Sequence, residues 1–323
     1  MARDGVIVGL DVGTTTVRVL VAQVPHDPAE KPQIIGVAAV PSSGMQRGVV
    51  TDVEDTVRSV SAALDTAERM SGVPIERAMV SVGGAHISSA NSRGVIAVSR
   101  ADGEISGDDV ARVMGAAQAI SLPSNREILH VIPQHFIVDG QGGITDPRGM
   151  TGVRLEVDTH IIEGSAPFLR NISKCVYQAG ATTQGLMFAP LAAERAVLSK
   201  RQKELGVALL DLGGGTTSLA VFEENRLLHT ATIPVGGMHV TNDIAIGLRS
   251  SIDVAEQIKV RFGSAIPDDV KKSQEINLKK IDEHEEDVTV SRRSVAEIIE
   301  ARLSEIFSLV NRQLRSVERL GLL

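Results

Sequence analysis

The sequence predicts an α/β protein in two lobes, and three observations carry that reading. Apolar runs with strand character alternate with amphipathic helical stretches along the chain. Two short motifs, Asp11-Val12-Gly13-Thr14-Thr15-Thr16 and Asp211-Leu212-Gly213-Gly214-Gly215-Thr216-Thr217, occur in the same strand–turn–strand context. The length of 323 residues, 43% of them hydrophobic, is enough for two separate cores.

Each motif follows an apolar run that reads as a buried strand, at residues 6–10 and 207–210. Each precedes another strand-like run, at residues 17–22 and 218–222, so each motif is the tip of a hairpin. Glycine there lets the backbone turn and approach a ligand closely. Backbone N–H groups and threonine hydroxyls can hold phosphate oxygens. An aspartate at the strand end can orient a hydrated Mg²⁺ ion. One such turn alone reads as an ordinary tight turn; the pair points to two hairpins clamping one polyphosphate. No lysine follows either glycine cluster, which excludes the GxxxxGK loop. A second strand follows rather than a helix, which separates both motifs from the GxGxxG fingerprint.

The composition narrows the partners. A net charge of −7 argues against nucleic acid as the main partner. Aromatic residues make up 2%, with no Trp, which disfavours stacking platforms for single strands or sugars. The single cysteine, Cys175, excludes an internal disulfide and suits a reducing compartment. It falls in a helical stretch and reads as a small buried apolar residue. No stretch reaches the ~18 uninterrupted apolar residues of a membrane span. The first residues lead directly into a strand, leaving no expected room for a signal peptide.

Taken in order, the first lobe opens with three strands, the third at residues 33–40. A helix follows at 53–70, with Val53, Val57, Val60 and Leu64 on one face. A strand at 78–82 ends at Gly83-Gly84. An αβ insertion then begins, with a strand pair around 87–98, a helix at 107–120 and long strands at 128–139 and 153–162. Residues 140–150 between those strands are rich in Gly and Pro and read as a loop. A helix at 167–178 and a strand at 185–188 return to the first lobe; Ala189-Pro190 opens a helix to about residue 198. The second lobe starts near Gly206, and its third strand ends at Pro234. Gly236-Gly237 precede a helix from Met238, and a second helix at 254–262 carries Glu256 and Lys259 one turn apart. Residues 264–290 are charge-dense and read as a solvated edge rather than a metal site. The last helix, 295–320, has a Ser294/Glu297 capping pattern and an apolar stripe of Val295, Ile299, Leu303, Ile306, Val310, Leu314 and Val317.

Further motifs carry a resemblance. They are Gly44-Met45-Gln46-Arg47-Gly48-Val49-Val50, His130-Val131-Ile132-Pro133-Gln134-His135-Phe136, Asp146-Pro147-Arg148-Gly149-Met150 and Gly152-Val153-Arg154-Leu155-Glu156. With the two hairpin motifs and Ala255-Glu256-Gln257-Ile258-Lys259, the chain resembles the bacterial FtsA family of cell-division proteins. The hairpins alone resemble the wider actin, sugar-kinase and DnaK-type superfamily; the insertion is what is specific to FtsA.

The resemblance implies an actin-like two-lobed ATPase fold with ribonuclease-H-like halves. Residues 1–84 and 165–205 would form the first lobe, with 85–164 as the inserted αβ subdomain. Residues 206–263 would belong to the second lobe and 264–323 to its upper subdomain. It also implies ATP with Mg²⁺, weak or conditional turnover, polymerisation into actin-like filaments, binding of FtsZ at the inner membrane face, and recruitment of later division proteins through the insertion. On this view Gly13, Thr14, Thr15 and Thr16 contact the phosphates from one lobe. Gly213, Gly214, Gly215, Thr216 and Thr217 contact them from the other. Asp11 and Asp211 organise Mg²⁺ through water, Gly236 and Gly237 pass beside the nucleotide, and Glu256 and Lys259 meet ribose and adenine. An exposed helix ion pair is the plain alternative for Glu256 and Lys259. No catalytic base stands out. Arg292, Arg293, Glu300 and Arg302 are candidates for contact with FtsZ, whose acidic tail would suit the arginines; a solvated helix terminus is the plain alternative.

The family pattern continues past Leu323 with a strand, a third Gly-rich turn around adenine, and an amphipathic membrane helix. The chain is therefore expected to be C-terminally incomplete, with membrane contact only if such a helix lies beyond Leu323. Competing readings are a PilM-like pilus-assembly scaffold, an actin-fold chaperone or sugar kinase, and an inactive fragment.

Overall fold

The computed structural model describes residues 5–25, 27, 30–119 and 123–317. The chain starts with β1 (Val6–Val12), β2 (Thr16–Gln23), β3 (Gln33–Pro41), the short hairpin β4 (Met45–Gln46) and β5 (Val49–Val50), α1 (Val53–Ser71) and β6 (Arg77–Val82). The insertion holds β7 (Ser88–Ala97), α2 (Gly107–Gln118), β8 (Arg126–Val138), β9 (Gln141–Ile144) and β10 (Arg154–Ser165). Then come α3 (Ala166–Gln178), β11 (Thr182–Phe188), α4 (Ala189–Val197) and α5 (Lys200–Leu205). They are followed by β12 (Val207–Leu212), β13 (Thr217–Glu223), β14 (Arg226–Ile233), α6 (Gly237–Leu248) and α7 (Ile252–Phe262). The remainder is β15 (Glu275–Asn277), β16 (Thr289–Ser291) and α8 (Arg292–Ser316). Contacts divide the chain into two compact units. One comprises the described residues up to Asp211 together with Ser218–Thr232. The other comprises Leu212–Thr217 together with the described residues from Ile233 onward.

In the first unit a five-stranded sheet runs in the order β11-β6-β1-β2-β3. β1 is antiparallel to β2 and parallel to β6, so the β1–β2 turn and the end of β6 lie at the same edge. Alternation along β1 buries Val8, Leu10 and Val12 and turns Ile7, Gly9 and Asp11 to the other face. α1 covers the buried face with Val60, Ala63, Leu64 and Ala67, and α3 adds Leu169, Ile172 and Val176 to the same core. Asp52 caps α1 by accepting from the Asp55 N–H, and Gly72 ends it in the left-handed region at φ 67°. Cys175 is fully buried on α3, and burial pushes its thiol pKa up.

The insertion is a four-stranded antiparallel sheet, β7-β10-β8-β9, with α2 packed across it. Ile105, Val113, Ala117, Phe136, Leu155 and Val157 form its own core. Two expectations need correction. The strand pair expected at 87–98 is the single strand β7. Residues 140–150, expected to be a loop, contain β9. The reason lies in the Asp139-Gly140 step, where both residues take positive φ (47° and 90°) and bring Gln141 opposite Val138. An Asp-Gly pair at positive φ is the turn that right-twisted hairpins prefer. The expected end of α2 at residue 120 lies outside the described residues.

Arg126 fastens the two strands on which the insertion is mounted. Its guanidinium reaches the His86 carbonyl at 3.2 Å, the Glu163 carbonyl at 3.3 Å and the Glu163 carboxylate at 2.7 Å, and it also hydrogen-bonds Ser88. Side chains of the insertion also meet β14. Gln134 donates to the Leu227 carbonyl at 3.0 Å, and Ser89 Oγ to the Thr230 carbonyl at 2.8 Å. His160, fully buried, lies 2.7 Å from Asn91 Oδ1 and 2.9 Å from Thr230 Oγ1.

In the second unit Val240, Ile244, Val254, Ile258, Val295 and Ile299 join α6, α7 and α8 in one core. Of the expected stripe on α8, Val295, Ile299, Ile306, Val310 and Leu314 are buried. The capping pattern at Ser294 is corrected. α8 begins at Arg292, directly after β16, with Ser291 as the N-cap residue. β16 pairs with β15, so the chain leaves a strand straight into the helix, and Glu297 turns toward Arg293 Nε at 3.6 Å instead. The expected extent to residue 320 is also corrected: α8 ends at Ser316 with Val317 as its C-cap residue.

Two predictions follow from packing and burial. A Cβ on Gly94 of β7 would lie 2.2 Å from the Val113 carbonyl oxygen on α2. Gly94→Ala should therefore lower the unfolding free energy by about 2 kcal/mol, read as a lower urea midpoint; an unchanged midpoint would contradict the packing. Burial, with His229 nearby, lowers the His160 pKa to about 4. The unfolded chain then binds the proton more readily, so the neutral His160 favours folding fully above about pH 6.5, and that contribution is lost as pH falls toward 4. The loss amounts to at most about 3 kcal/mol over this window. His160→Gln should flatten the fall in urea midpoint between pH 7 and pH 4.5, and an equal slope in both proteins would refute the assignment.

Candidate functional site

The β1–β2 turn is closed by the Gly13 N–H donating to the Thr16 carbonyl at 3.1 Å. A Cβ at Gly13 would lie 2.8 Å from that carbonyl oxygen, so only glycine allows the closure. Thr14 Oγ1 accepts from the Gly48 N–H at 3.2 Å, and the Thr15 carbonyl accepts from the Ser42 N–H at 3.1 Å. The turn is thus braced from behind by the β4–β5 hairpin, while the Thr15 side of it faces outward. Gly48, at φ 75°, packs directly on the Gly83 backbone, where a Cβ would come within 2.3 Å of the Gly83 carbonyl oxygen.

Asp11 stands at the end of β1, with Ser81 of β6 and Arg18 of β2 as its register partners. Ser81 Oγ donates to Asp11 Oδ1 at 3.0 Å, and Arg18 Nη1 lies 3.5 Å from Oδ2. Asp211 is close enough to feel both. Burial and the Asp11 charge push its carboxyl up from the ordinary range, and Arg18 opposes them. Asp11 and Asp211 each stand one residue before the end of a strand and offer hard carboxylate oxygens, the donor type that a hydrated magnesium ion accepts.

In the second unit the β12–β13 turn is closed the same way, with the Gly213 N–H donating to the Thr216 carbonyl at 2.9 Å. The start of α6 lies against it. The Gly237 N–H donates to the Gly213 carbonyl at 2.9 Å, and the Met238 N–H to the Gly214 carbonyl at 2.8 Å. These bonds occupy the turn's carbonyls and leave its N–H side as the face with donor character. Thr217 Oγ1 donates to the Val235 carbonyl at 2.8 Å. Gly236 is the tightest point, because a Cβ there would lie 2.4 Å from the Gly213 oxygen and 2.8 Å from the Gly214 oxygen.

Glu256 and Lys259 are an ion pair at 2.6 Å, and the structure adds Thr241 of α6 to them. Thr241 Oγ1 lies 2.5 Å from Glu256 Oε2 and accepts from Lys259 Nζ at 2.9 Å; Lys259 also reaches the Gly237 carbonyl at 3.4 Å. Burial alone would push the Glu256 carboxyl up, but hydrogen bonds from Lys259 and Thr241 hold it below its ordinary range. The pair is thus tied to the start of α6, beside Gly237.

The arginines proposed from sequence as partner contacts are engaged within their own unit. Arg292 donates to the Phe262 carbonyl at 2.8 Å, and Arg293 to Asp268 at 2.6 Å. Arg302 forms a two-point bond with Asp243 on α6, at 2.6 and 2.9 Å. Glu300 is exposed. Sequence reasoning missed Ser81, Thr241 and Arg18. Arg18 and Thr16 share a strand face, and Thr241 lies one helical turn after Gly237; those spacings were the available signals.

Fold and hairpins together define an actin-like ATPase architecture. Among solved structures, the chain resembles a PilM-PilN type IV pilus biogenesis complex at a TM-score of 0.66 and 13% identity, covering 98% of this chain and 78% of that one. It resembles MreB 5 of Spiroplasma citri bound to AMPPNP at a TM-score of 0.52 and 14% identity, covering 97% and 79%. At the family level, residues 84–163 match the SHS2 domain inserted in FTSA, and residues 208–321 match cell division protein FtsA. The cell division protein FtsA of Bacillus subtilis (strain 168) is 43% identical over 317 residues, 98% of this chain and 71% of that protein. The chain belongs to the FtsA family of cell-division proteins.

Space at Gly236 yields a direct prediction. Gly236→Ala should displace the Gly213–Gly214 turn and weaken binding of a fluorescent ATP analogue by about tenfold or more, with the fold retained. An unchanged dissociation constant in a titration would contradict the assignment.

Proposed function

We propose that this chain is an ATP-binding actin-like scaffold of cell division. It polymerises, links FtsZ filaments to the cytoplasmic membrane and recruits later division proteins through its inserted subdomain. The observation that carries the ATP reading is the repeated turn, in which a glycine N–H is bonded to a threonine carbonyl at 3.1 Å in one hairpin and 2.9 Å in the other. Its relative bound to AMPPNP supports a nucleotide at this fold.

On this reading Gly13–Thr16 and Gly213–Thr217 serve the phosphates with backbone N–H and threonine hydroxyl donors. Asp11 and Asp211 would hold a hydrated Mg²⁺, with Asp11 already aimed by Ser81 at 3.0 Å. When bound, the ion neutralises phosphate charge. Glu256 and Lys259 meet the ribose and base from α7, with Thr241 fixing the pair. On this reading residues 1–84 with 165–205 form the first lobe, 206–263 belong to the second and 264–323 to its upper subdomain, with 85–164 as the recruiting insertion. The place of action is the division site at the cytoplasmic membrane face. No helix among the described residues is long and apolar enough to cross a membrane, so contact there is peripheral on this reading.

The insertion's Ile132-Pro133-Gln134 and Pro147-Arg148-Gly149-Met150 motifs speak against a pilus scaffold or an actin-fold kinase, and the match of residues 84–163 to the SHS2 domain inserted in FTSA supports the cell-division reading. Incubated with preformed FtsZ polymers and ATP, the chain should co-sediment with them in a saturable manner. A chain that stays in the supernatant at saturating FtsZ would refute the linking role.

A further inference from the structure

The tip of the β4–β5 hairpin touches two places at once. It meets the first phosphate turn, where the Gly48 N–H donates to Thr14 Oγ1 at 3.2 Å. It also meets the link between β6 and β7, the first strand of the insertion, where the Ala85 N–H donates to the Arg47 carbonyl at 3.3 Å. The packing at the link is backbone against backbone. A Cβ on Gly48 would lie 2.3 Å from the Gly83 carbonyl oxygen and 2.5 Å from Gly84 Cα, and one on Gly84 would lie 3.0 Å from the Gly48 oxygen. No side chain stands between them to absorb a shift, so a displacement of the tip passes directly to the link. The tip itself is stiff. Met45 pairs with Val50 and Gln46 with Val49, and Arg47 and Gly48 form the two-residue turn between them, both at positive φ (49° and 75°).

One residue beyond Ala85 the chain enters the base of the insertion. The His86 carbonyl accepts from Arg126 at 3.2 Å, and His86 Nδ1 accepts from the N–H of Ser165, the last residue of β10, at 3.4 Å. Hydrogen bonds and close backbone contacts therefore run without a break from the phosphate turn to both mounting strands, all within the first unit. The Thr14 hydroxyl gives this path a direction. It carries one donor proton and two lone pairs. A phosphate oxygen can only accept, so it takes the proton and leaves a lone pair to the Gly48 N–H. Hydrogen bonds in series strengthen one another. Without an anion the hydroxyl proton rotates and the bond from Gly48 loses that support.

We propose that the β4–β5 hairpin reports occupancy of the first phosphate turn to the base of the insertion. A phosphate held by Thr14 tightens the Thr14–Gly48 bond, and the Arg47–Ala85 bond carries the tightening to the joint at residues 83–88. The inference rests on the nucleotide reading of the first hairpin. By linkage, a partner that prefers the tightened base raises nucleotide affinity by the same factor by which nucleotide raises its own.

The test is hydrogen exchange, read by mass spectrometry, on the full 323-residue chain with and without ATP and Mg²⁺. ATP should slow exchange at residues 45–50 and 84–88 by about threefold or more. The helix α2, which makes none of these bonds, should not change. Ala85→Pro deletes the donor to Arg47 and leaves the phosphate turn untouched. It should bind a fluorescent ATP analogue within about twofold of the unaltered chain. Residues 45–50 of this variant should keep their ATP-dependent protection, and residues 86–88 should lose it. The unaltered chain alone can refute the relay: ATP binding with unchanged exchange at 84–88 overturns it and leaves the nucleotide reading standing. Equal slowing in α2 means general tightening and overturns it as well. Protection at 86–88 that survives in Ala85→Pro overturns the route through the hairpin. Failure of the unaltered chain to bind the ATP analogue sinks the nucleotide reading and the relay together.

Discussion

One small constraint governs both hairpins: the closing bond from a glycine N–H to the carbonyl three residues on. At Gly13 a side chain would meet the Thr16 carbonyl at 2.8 Å, and at Gly213 at 3.1 Å. The first turn can therefore be this tight only with glycine, the second leaves a side chain little room, and the tightness gathers backbone N–H groups on one side. The surroundings serve that geometry. Thr14 is held by Gly48, and the carbonyls of Gly213 and Gly214 are held by the first N–H groups of α6. Strand alternation then fixes what lies beside each turn. The face of β1 that carries Asp11 is the one that does not join the core, which leaves its carboxylate available to Ser81 and Arg18.

The insertion shows a second kind of control. Its core under α2 is apolar, Ile162 of β10 joins the core of the first unit, and its further attachments are polar and directional. Arg126 binds both mounting strands, and His160, Gln134 and Ser89 bind β14. Such bonds fix orientation more than they add stability, because each replaces a bond to water. Neutral His160 is part of this set, which makes the attachment to β14 sensitive to acid. A subdomain held this way keeps a defined orientation against β14.

Much of this was legible in the sequence because it depends on local pattern. The hairpin motifs, the α1 face of Val60 and Leu64, and the α8 stripe of Ile299, Ile306 and Val310 follow from period and turn chemistry. The misreadings share a cause: local signals overridden by a neighbour in space. Ser294 offers a cap, yet α8 begins at Arg292 because β15 holds β16 up to Ser291. The glycines after Asp139 suggested a loop, yet the edge of β8 gave β9 a partner. The bonds of Thr241 to Glu256 and of Arg302 to Asp243 were invisible because the partners lie 15 and 59 positions away. Of the residues proposed for a partner protein, Arg302 is tied to α6 through Asp243, and Glu300 is exposed.

The most direct test of the nucleotide reading is a titration of ¹⁵N-labelled protein with ATP and Mg²⁺, following the Gly13 and Gly213 amide resonances. If both turns serve one polyphosphate, both resonances shift with a single midpoint, and a glycine far from either turn, such as Gly72, does not move. Shifts at only one turn, or at both with separate midpoints, would contradict the account.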